Sequence, residues 1–389
     1  MNLRPAAVSV GPVLQDVRRG LSMSTATAGV VTTLPVLCFA GFGALAPWGA
    51  RTLGVHRLML LSLAVLAGGL GLRAYSDSSA LFIAATVPAL AAMATANVLL
   101  PSLVKQHFPH RVGLVTAIYT TALAIGLTAA SVLTVPLAEA FESWRAGLAA
   151  WALVAAVAAF PWLGLLRHDI KPEVSRHDTI PTRAVVRSPL AWAMALFFGT
   201  QSLQAYAVFG WLAQVYRDAG FSAETAGLLL GVAAATGIPM SFVLPRIAVR
   251  TANQAPLILG LCASYVVGYT GLILWPVQGA WLWALTIGVG TGIFPLILTL
   301  IGLRARTSDG TAALSGFTQS VGYLIAAVGP FMMGALYGAT GGWTVPLTVL
   351  ALLVVPQAIA GLLVSRPRYL EDEVLPPPDL SVPSGHAQA

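Results

Sequence analysis

The sequence predicts an all-α membrane protein whose twelve transmembrane helices form two six-helix bundles. Three observations carry this prediction. Only 9% of the 389 residues are charged and 57% are apolar, with a mean hydropathy of +0.81, against about 25% charged residues in an ordinary soluble domain. Apolar runs long enough to cross a bilayer core recur eleven times along the chain. The halves on either side of a polar segment echo one another in sequence. With 21 Lys and Arg and 14 Asp and Glu, the chain cannot clothe two or three soluble domains, and it is too apolar for disorder. The net charge of +7 is scattered singly between apolar runs, a pattern that does not point to nucleic acid as a partner.

Met1–Leu14 is apolar but too short to cross a core of about 30 Å. Full spans follow at Gly29–Trp48, Leu58–Tyr75, Leu81–Val104, Val112–Leu137 and Ala146–Leu166. A polar, proline-containing loop occupies Arg167–Ser188. The second half holds Pro189–Val215, Ala226–Ile247, Pro256–Trp275, Trp281–Leu303, Ala312–Tyr337 and Trp343–Val364. The runs are continuous, whereas strands of membrane barrels alternate, so each is read as a helix. The chain thus divides into an N-terminal bundle over residues 1–166, a cytoplasmic loop over 167–188, a C-terminal bundle over 189–364, and a tail over 365–389. The tail is acidic and Pro-rich and is expected to be disordered.

The halves repeat. Thr27-Ala28-Gly29 opens one span and Thr225-Ala226-Gly227 its counterpart, an offset of 198 residues; Pro47 and Pro245 follow 20 residues on. Arg51-Thr52 and Arg250-Thr251 then close the two segments with one residue of slippage. Two related halves joined by a polar loop are a transporter layout. The same offset sets Met1 opposite Gly199, ten residues into the span that opens at Pro189. The first helix is therefore expected to be partial, as from a start codon placed too far downstream.

Charge sets the orientation. Fifteen Lys and Arg fall in segments that a twelve-span count puts in the cytoplasm, five fall outside, and Arg4 is the remaining one. This bias obeys the positive-inside rule. It predicts a multi-pass protein with both termini cytoplasmic; a location in the cell inner membrane and a monomeric state are expected alongside it.

Several stretches carry a family likeness. They are Asn2-Leu3-Arg4-Pro5, Ser9-Val10-Gly11-Pro12, Thr33-Leu34-Pro35-Val36-Leu37, Asn97-Val98-Leu99-Leu100-Pro101, and Gln201-Ser202 with Tyr206 and Trp211-Leu212. A longer series runs from Phe294-Pro295 through Leu314-Ser315-Gly316-Phe317 and Gln319-Ser320-Val321-Gly322-Tyr323 to Gly329-Pro330. Together they resemble the cyanate/2-nitroimidazole permease family (CynX/NimT type) of the major facilitator superfamily. The resemblance implies the major facilitator fold. It also implies secondary transport, by alternating access, of a small polar or anionic solute that is cyanate- or nitroimidazole-like. In that family the arginine of the first motif lies within a complete first helix. The superfamily loop signature is degenerate here, since Arg51-Thr52-Leu53-Gly54-Val55-His56-Arg57 lacks the usual Asp.

Arg4 is the focal candidate. In the repeat register it lies opposite Ser202, and a charge at that depth costs at least ~2.5–3.5 kcal/mol. No Asp or Glu falls within a span's interior. Arg4 is thus either a receptor for an anionic or electron-rich planar solute, through its fork of donors, or a cytoplasmic anchor at the N-terminus. Ser315, Gln319 and Tyr323 recur at i, i+4 and i+8 and make one helical stripe. Ser202 and Tyr206 pair at i, i+4 beside Gln201 and Gln204; Thr116, Tyr119 and Thr120 cluster in the first half, and Asn97 precedes Pro101. The resemblance places Gln201, Tyr206, Gln319 and Tyr323 at the central cavity, and the substrate-binding set is completed by Arg4, Asn97 and Tyr119. Interhelical hydrogen bonding, about 0.6 kcal/mol each, is the competing role for such residues. Trp211 either caps the cavity or anchors at the outer interface.

Other features exclude other classes. Gly288-Val289-Gly290-Thr291-Gly292 imitates a nucleotide loop but lies inside a span without βαβ context, so close helix packing is expected there. The six histidines fall in loops or the tail and make no HExxH motif. Cys38 and Cys262 provide no disulfide framework and no metal spacing. With no nucleophile–base pair either, neither an enzyme nor a cofactor or metal is expected. The alternatives to a solute carrier are a multidrug or toxic-compound efflux carrier and a non-transporting membrane sensor. The absence of a mid-span carboxylate disfavours cationic drugs, and leaves open whether a proton is coupled.

Overall fold

The computed structural model describes residues 3–23, 25–165, 180 and 182–374, and these are helical without strands. The first half opens on an interrupted helix: α1 (Pro5–Val8), a 3-10 turn at Gly11–Val13, and α2 (Leu14–Gly20). It continues through α3 (Thr25–Leu53), α4 (Val55–Ala74), α5 (Ser79–His107), α6 (Val112–Ala140) and α7 (Trp144–Leu165). A short α8 (Thr182–Arg187) leads into α9 (Pro189–Asp218), α10 (Ala223–Ala248) and α11 (Ala255–Leu274). The next two spans are each broken, into α12 (Ala280–Gly290) with α13 (Ile293–Leu303), and α14 (Ser308–Ala326) with α15 (Val328–Thr340). Helices α16 (Thr344–Ser365) and α17 (Leu370–Val374) complete the described chain.

Local chemistry fixes these boundaries. Ser78, Ser188, Ser222 and Thr307 each accept a first-turn N–H of the helix that follows, which satisfies donors that have no intrahelical partner. Gly54, at φ +88°, separates α3 from α4 in a backbone conformation few other residues adopt. Ten helical segments among the described residues are long and apolar enough to cross a membrane. Helix α9 stands apart from those ten: its 30 residues include Gln201, Ser202, Gln204, Tyr206 and Gln214. Outward faces are apolar, as Leu153, Val157 and Phe160 on α7 and Leu352, Val355 and Ile359 on α16 are each more than half exposed. That surface suits lipid, not water.

Within the first half α4 packs on α5 and α7; within the second, α11 packs on α12 and α16. The halves meet along two seams, α14 against α3 and α5, and α6 against α10. At the second seam a Cβ on Gly113 would lie 2.8 Å from the Pro245 carbonyl oxygen, so only glycine permits this approach. Hydrogen bonds cross the seams at the end that carries Lys105 and Arg246, hereafter the basic end. Ser102 donates to Ser308 O at 2.8 Å and Lys105 to Gly302 O at 3.5 Å, while deeper in the second seam, beside the central cavity, Thr120 donates to Ser241 O at 3.0 Å. The basic end is closed in this conformation.

Two segments differ from expectation. Residues 166–179 of the polar loop lie outside the described residues, but Ile180 is buried and its carbonyl accepts from Arg51 Nη2 at 2.7 Å. The tail, expected to be disordered from residue 365, is helical at α17 and docked. The Glu371 carboxylate accepts from Arg306 N, Thr307 N and Thr307 Oγ1, each at 2.9 Å. Glu373 accepts from Ser188 Oγ and Leu190 N, and Asp372 pairs with Arg306. The acids serve the donor-rich starts of α14 and α9, a partnership that composition alone does not reveal. Residues 375–389 lie outside the described residues. Glu371→Ala is expected to speed amide exchange in the first turn of α14 about tenfold or more, because a bond to a charged group is worth ~1.5–3 kcal/mol. Hydrogen–deuterium exchange of the 304–313 segment measures this.

Candidate solute-binding site

The halves enclose a cavity of about 150 Å³ at mid-depth. Helix α6 supplies Thr120, Leu123, Leu127 and Thr128; α9 supplies Gln201, Ser202, Tyr206 and Phe209. Thr291 and Phe294 come from the break between α12 and α13, and Tyr323 from α14. Arg4 projects into this space from the start of α1, where it occupies the N-cap position ahead of Pro5. The repeat register set Arg4 opposite Ser202, and both line the same cavity.

The Arg4 guanidinium shares this cavity with the hydroxyls of Tyr206 and Tyr323 and lies close enough to interact electrostatically with both. It also lies over the Phe294 ring, 5.0 Å from its centroid, where the ring face attracts a cation. Among the described residues no carboxylate lines the cavity. The site therefore offers one fixed positive charge, two phenols and an aromatic wall, with no acid of its own to neutralise them. Such a charge favours an anionic or electron-rich guest over a cation.

Gln201 borders the cavity, but its amide is engaged elsewhere. Its Nε2 donates to Tyr265 OH at 3.0 Å and to Thr291 O at 3.4 Å, and its Oε1 accepts from Gln357 Nε2 at 2.9 Å. Gln204 Nε2 donates in turn to Gln357 Oε1, and Tyr269 OH donates to Gln204 Oε1 at 2.8 Å. This buried network of three glutamines and two tyrosines sets the back wall of the site. Its deletion is costly, because each stranded polar group loses about 1–3 kcal/mol. Gln357→Leu is expected to lower the thermal unfolding midpoint of the detergent-purified protein more than Gln214→Leu at the exposed end of α9.

The other sequence candidates are placed away from the cavity. Gln319 is buried and donates to Ser315 Oγ at 2.8 Å, so two members of the predicted stripe bond each other and only Tyr323 reaches the site. Asn97 is buried, with Nδ2 donating to Met93 O one turn back at 2.9 Å. Tyr119 lines a separate cavity with His56, His107 and Trp162. These two histidines are not simple loop residues: His56 is 1% exposed and its Nε2 lies 2.8 Å from Nε2 of His107. Trp211 does not line the central cavity; its Nε1 donates to Pro330 O at 2.9 Å and its ring tilts against Trp343. The glycine run at 288–292 packs closely, as expected. A Cβ on Gly288 would lie 2.6 Å from the Ala233 carbonyl oxygen.

Arg73 is one of the five cations that the charge count places on the outer side, and the sequence assigns it no further role. It is 0% exposed. Its Nη1 donates to Ala6 O at 2.9 Å and its Nη2 to Ser9 Oγ at 3.1 Å, with the guanidinium 5.9 Å from the Phe82 ring centroid. It clasps α1, the element that presents Arg4. Gln357, Tyr265 and Tyr269 were also missed, although each is a lone or i, i+4 polar position inside an apolar run.

Two helical bundles with a pocket at mid-depth between them are the layout of secondary carriers. Residues 6–330 match the Major Facilitator Superfamily. The chain belongs to that superfamily and is a transporter of it. It is 35% identical over 369 residues to the 2-nitroimidazole transporter of Escherichia coli, covering 95% of this chain and 93% of that protein. It is 35% identical over 372 residues to the Bacillus subtilis transporter YycB, covering 95% and 92%. It is 30% identical over 358 residues to the cyanate transport protein CynX of Escherichia coli, covering 91% and 92%. The proton:xylose symporter XylE has the same fold, with a TM-score of 0.75 at 13% identity over 96% of each chain. FucP in the outward conformation does too, with a TM-score of 0.74 at 14% identity over 94% of this chain and 97% of that one.

Proposed function

We propose that the protein carries a small planar anion or electron-rich polar molecule, cyanate- or nitroimidazole-like, across the cell inner membrane by alternating access. The observation that carries this reading is Arg4, set over Phe294 beside Tyr206 and Tyr323 in a cavity that no acid among the described residues lines. A cavity of about 150 Å³ is the size that accepts one benzene ring. It suits a single small ring or a triatomic ion. The solutes for which two relatives are named, 2-nitroimidazole and cyanate, meet the same description. The basic end is the cytoplasmic face in this reading, with both termini on that side, so the closed end faces the cytoplasm. The protein works as a monomer in the bilayer. The apolar wall of Leu123, Leu127 and Phe209 supports one second reading, efflux of neutral aromatic toxicants.

Proteoliposomes loaded and assayed with radiolabelled cyanate and 2-nitroimidazole test the proposal. Saturable uptake or counterflow of at least one is expected, competed by the other, and transport of neither discards it. Tyr206→Phe and Tyr323→Phe each remove one hydroxyl beside Arg4, and each is expected to change KM about five- to tenfold, since a hydrogen bond to a charged group is worth ~1.5–3 kcal/mol and is partly replaced by the solute. Concentration-dependent initial rates of uptake measure it.

A further inference from the structure

We propose that the seam between the halves at the basic end binds a phosphate-type anion, which holds that end closed. A void of about 730 Å³ lies there, away from the central cavity. Lys105 and Arg111 face it from the first half, Arg246 and Arg250 from the second, and His110 adds a titratable ring. Among the described residues no carboxylate lines it. The positive-inside rule explains why basic residues gather at one end. It does not explain why four cations from opposite bundles converge on one void where the backbones of α6 and α10 are pressed together at Gly113.

Like charges brought together across a closing seam oppose closure. An anion bridging them reverses the sign of that contribution, and whatever binds the closed form alone stabilises it by mass action. The start of α6 strengthens the case. Arg111 is its N-cap and makes no side-chain cap bond, so the N–H groups of the first turn are free of intrahelical partners. Val112, Gly113 and Leu114, which carry those groups, all border the void. The N-terminus of a 29-residue helix and arginine forks together suit tetrahedral oxygens. The rest of the rim is apolar, from Leu114, Val249 and Leu303, which matches a phosphodiester with acyl chains beside it. Basic pockets between transmembrane helices take anionic lipid headgroups elsewhere. Inorganic phosphate shares the chemistry, so the test separates the two sources.

The full chain is placed in nanodiscs of phosphatidylcholine alone, of phosphatidylcholine with phosphatidylglycerol, or of phosphatidylcholine with millimolar inorganic phosphate. Spin labels at Phe108→Cys and Ala252→Cys, both exposed and beside the void in sequence, report the separation of the halves, and native mass spectrometry reports retained lipid. Phosphatidylglycerol is expected to raise the short-distance population at least threefold and to be retained at least tenfold more than in an Arg246→Gln, Arg250→Gln variant. The same response to inorganic phosphate assigns the site to a soluble anion, and a response to lipid alone assigns it to a headgroup. Lys105→Gln, on the opposite half, is expected to weaken retention at least threefold and guards against a misfolded double variant. Retention and distances that agree within twofold between the native chain and all variants overturn the proposal.

Discussion

Arg4→Ala is expected to reduce kcat/KM for solute uptake roughly thirtyfold or more, from the 2–5 kcal/mol that truncating one member of a desolvated charge contact costs. Among the described residues Arg4 is the one cation lining the central cavity. Its loss leaves Tyr206 and Tyr323 to face an anion with neutral hydroxyls alone. Arg4→Lys keeps the charge but replaces a planar fork with a point donor. It can satisfy one tyrosine at a time, and an intermediate loss follows. The stability effect has the opposite sign. A guanidinium with no protein carboxylate is an uncompensated charge at mid-depth, so Arg4→Ala should unfold at a higher temperature while transporting less. A residue held only for structure would lower both. Initial-rate uptake in proteoliposomes and thermal unfolding in detergent read the two quantities on the same preparations, and wild-type uptake in Arg4→Ala discards the site.

Hydropathy and the repeat made most of the fold legible, because each span must bury its own backbone polar groups in a helix. Arg4 was legible for a related reason: a lone charge in an apolar stretch needs a partner or a cavity. What escaped depended on which way neighbouring side chains turn and on partners distant in sequence. Thr120 lines the cavity while Tyr119, about 100° around the helix, lines another with His56 and His107. Sequence grouped the two because they are adjacent. Gln201 reaches the cavity edge, yet Gln357, 156 residues away, occupies its carbonyl oxygen. Counting charges by segment cannot separate an exposed arginine from one folded back under its helix end, and Arg73 was lost that way. The acidic tail failed similarly, since Glu371 finds its donors at Arg306 and Thr307.

Arg73→Met is expected to raise the KM for uptake about tenfold or more with a smaller change in maximal rate, and to destabilise the protein by about 3 kcal/mol. The argument starts from the interruption of the first span. Where α1 ends, its last carbonyls have no helical N–H to accept, and Arg73 Nη1 supplies a donor to Ala6 O while Nη2 holds Ser9 Oγ. Methionine fills much of the same volume but offers no donor, leaving Ala6 O buried and unsatisfied. Removing the charge also removes its desolvation cost, so the net loss is smaller than the two bonds taken separately. Arg4 sits immediately before α1, and a loosened α1 lets its guanidinium drift from Tyr206 and Tyr323. Binding then suffers before turnover does. Arg73→Lys can bond one of the two acceptors and should fall between the native chain and the methionine variant in both KM and unfolding temperature. An unchanged KM in Arg73→Met, with only the unfolding temperature lowered, restricts Arg73 to a structural role and separates the geometry of α1 from recognition at Arg4.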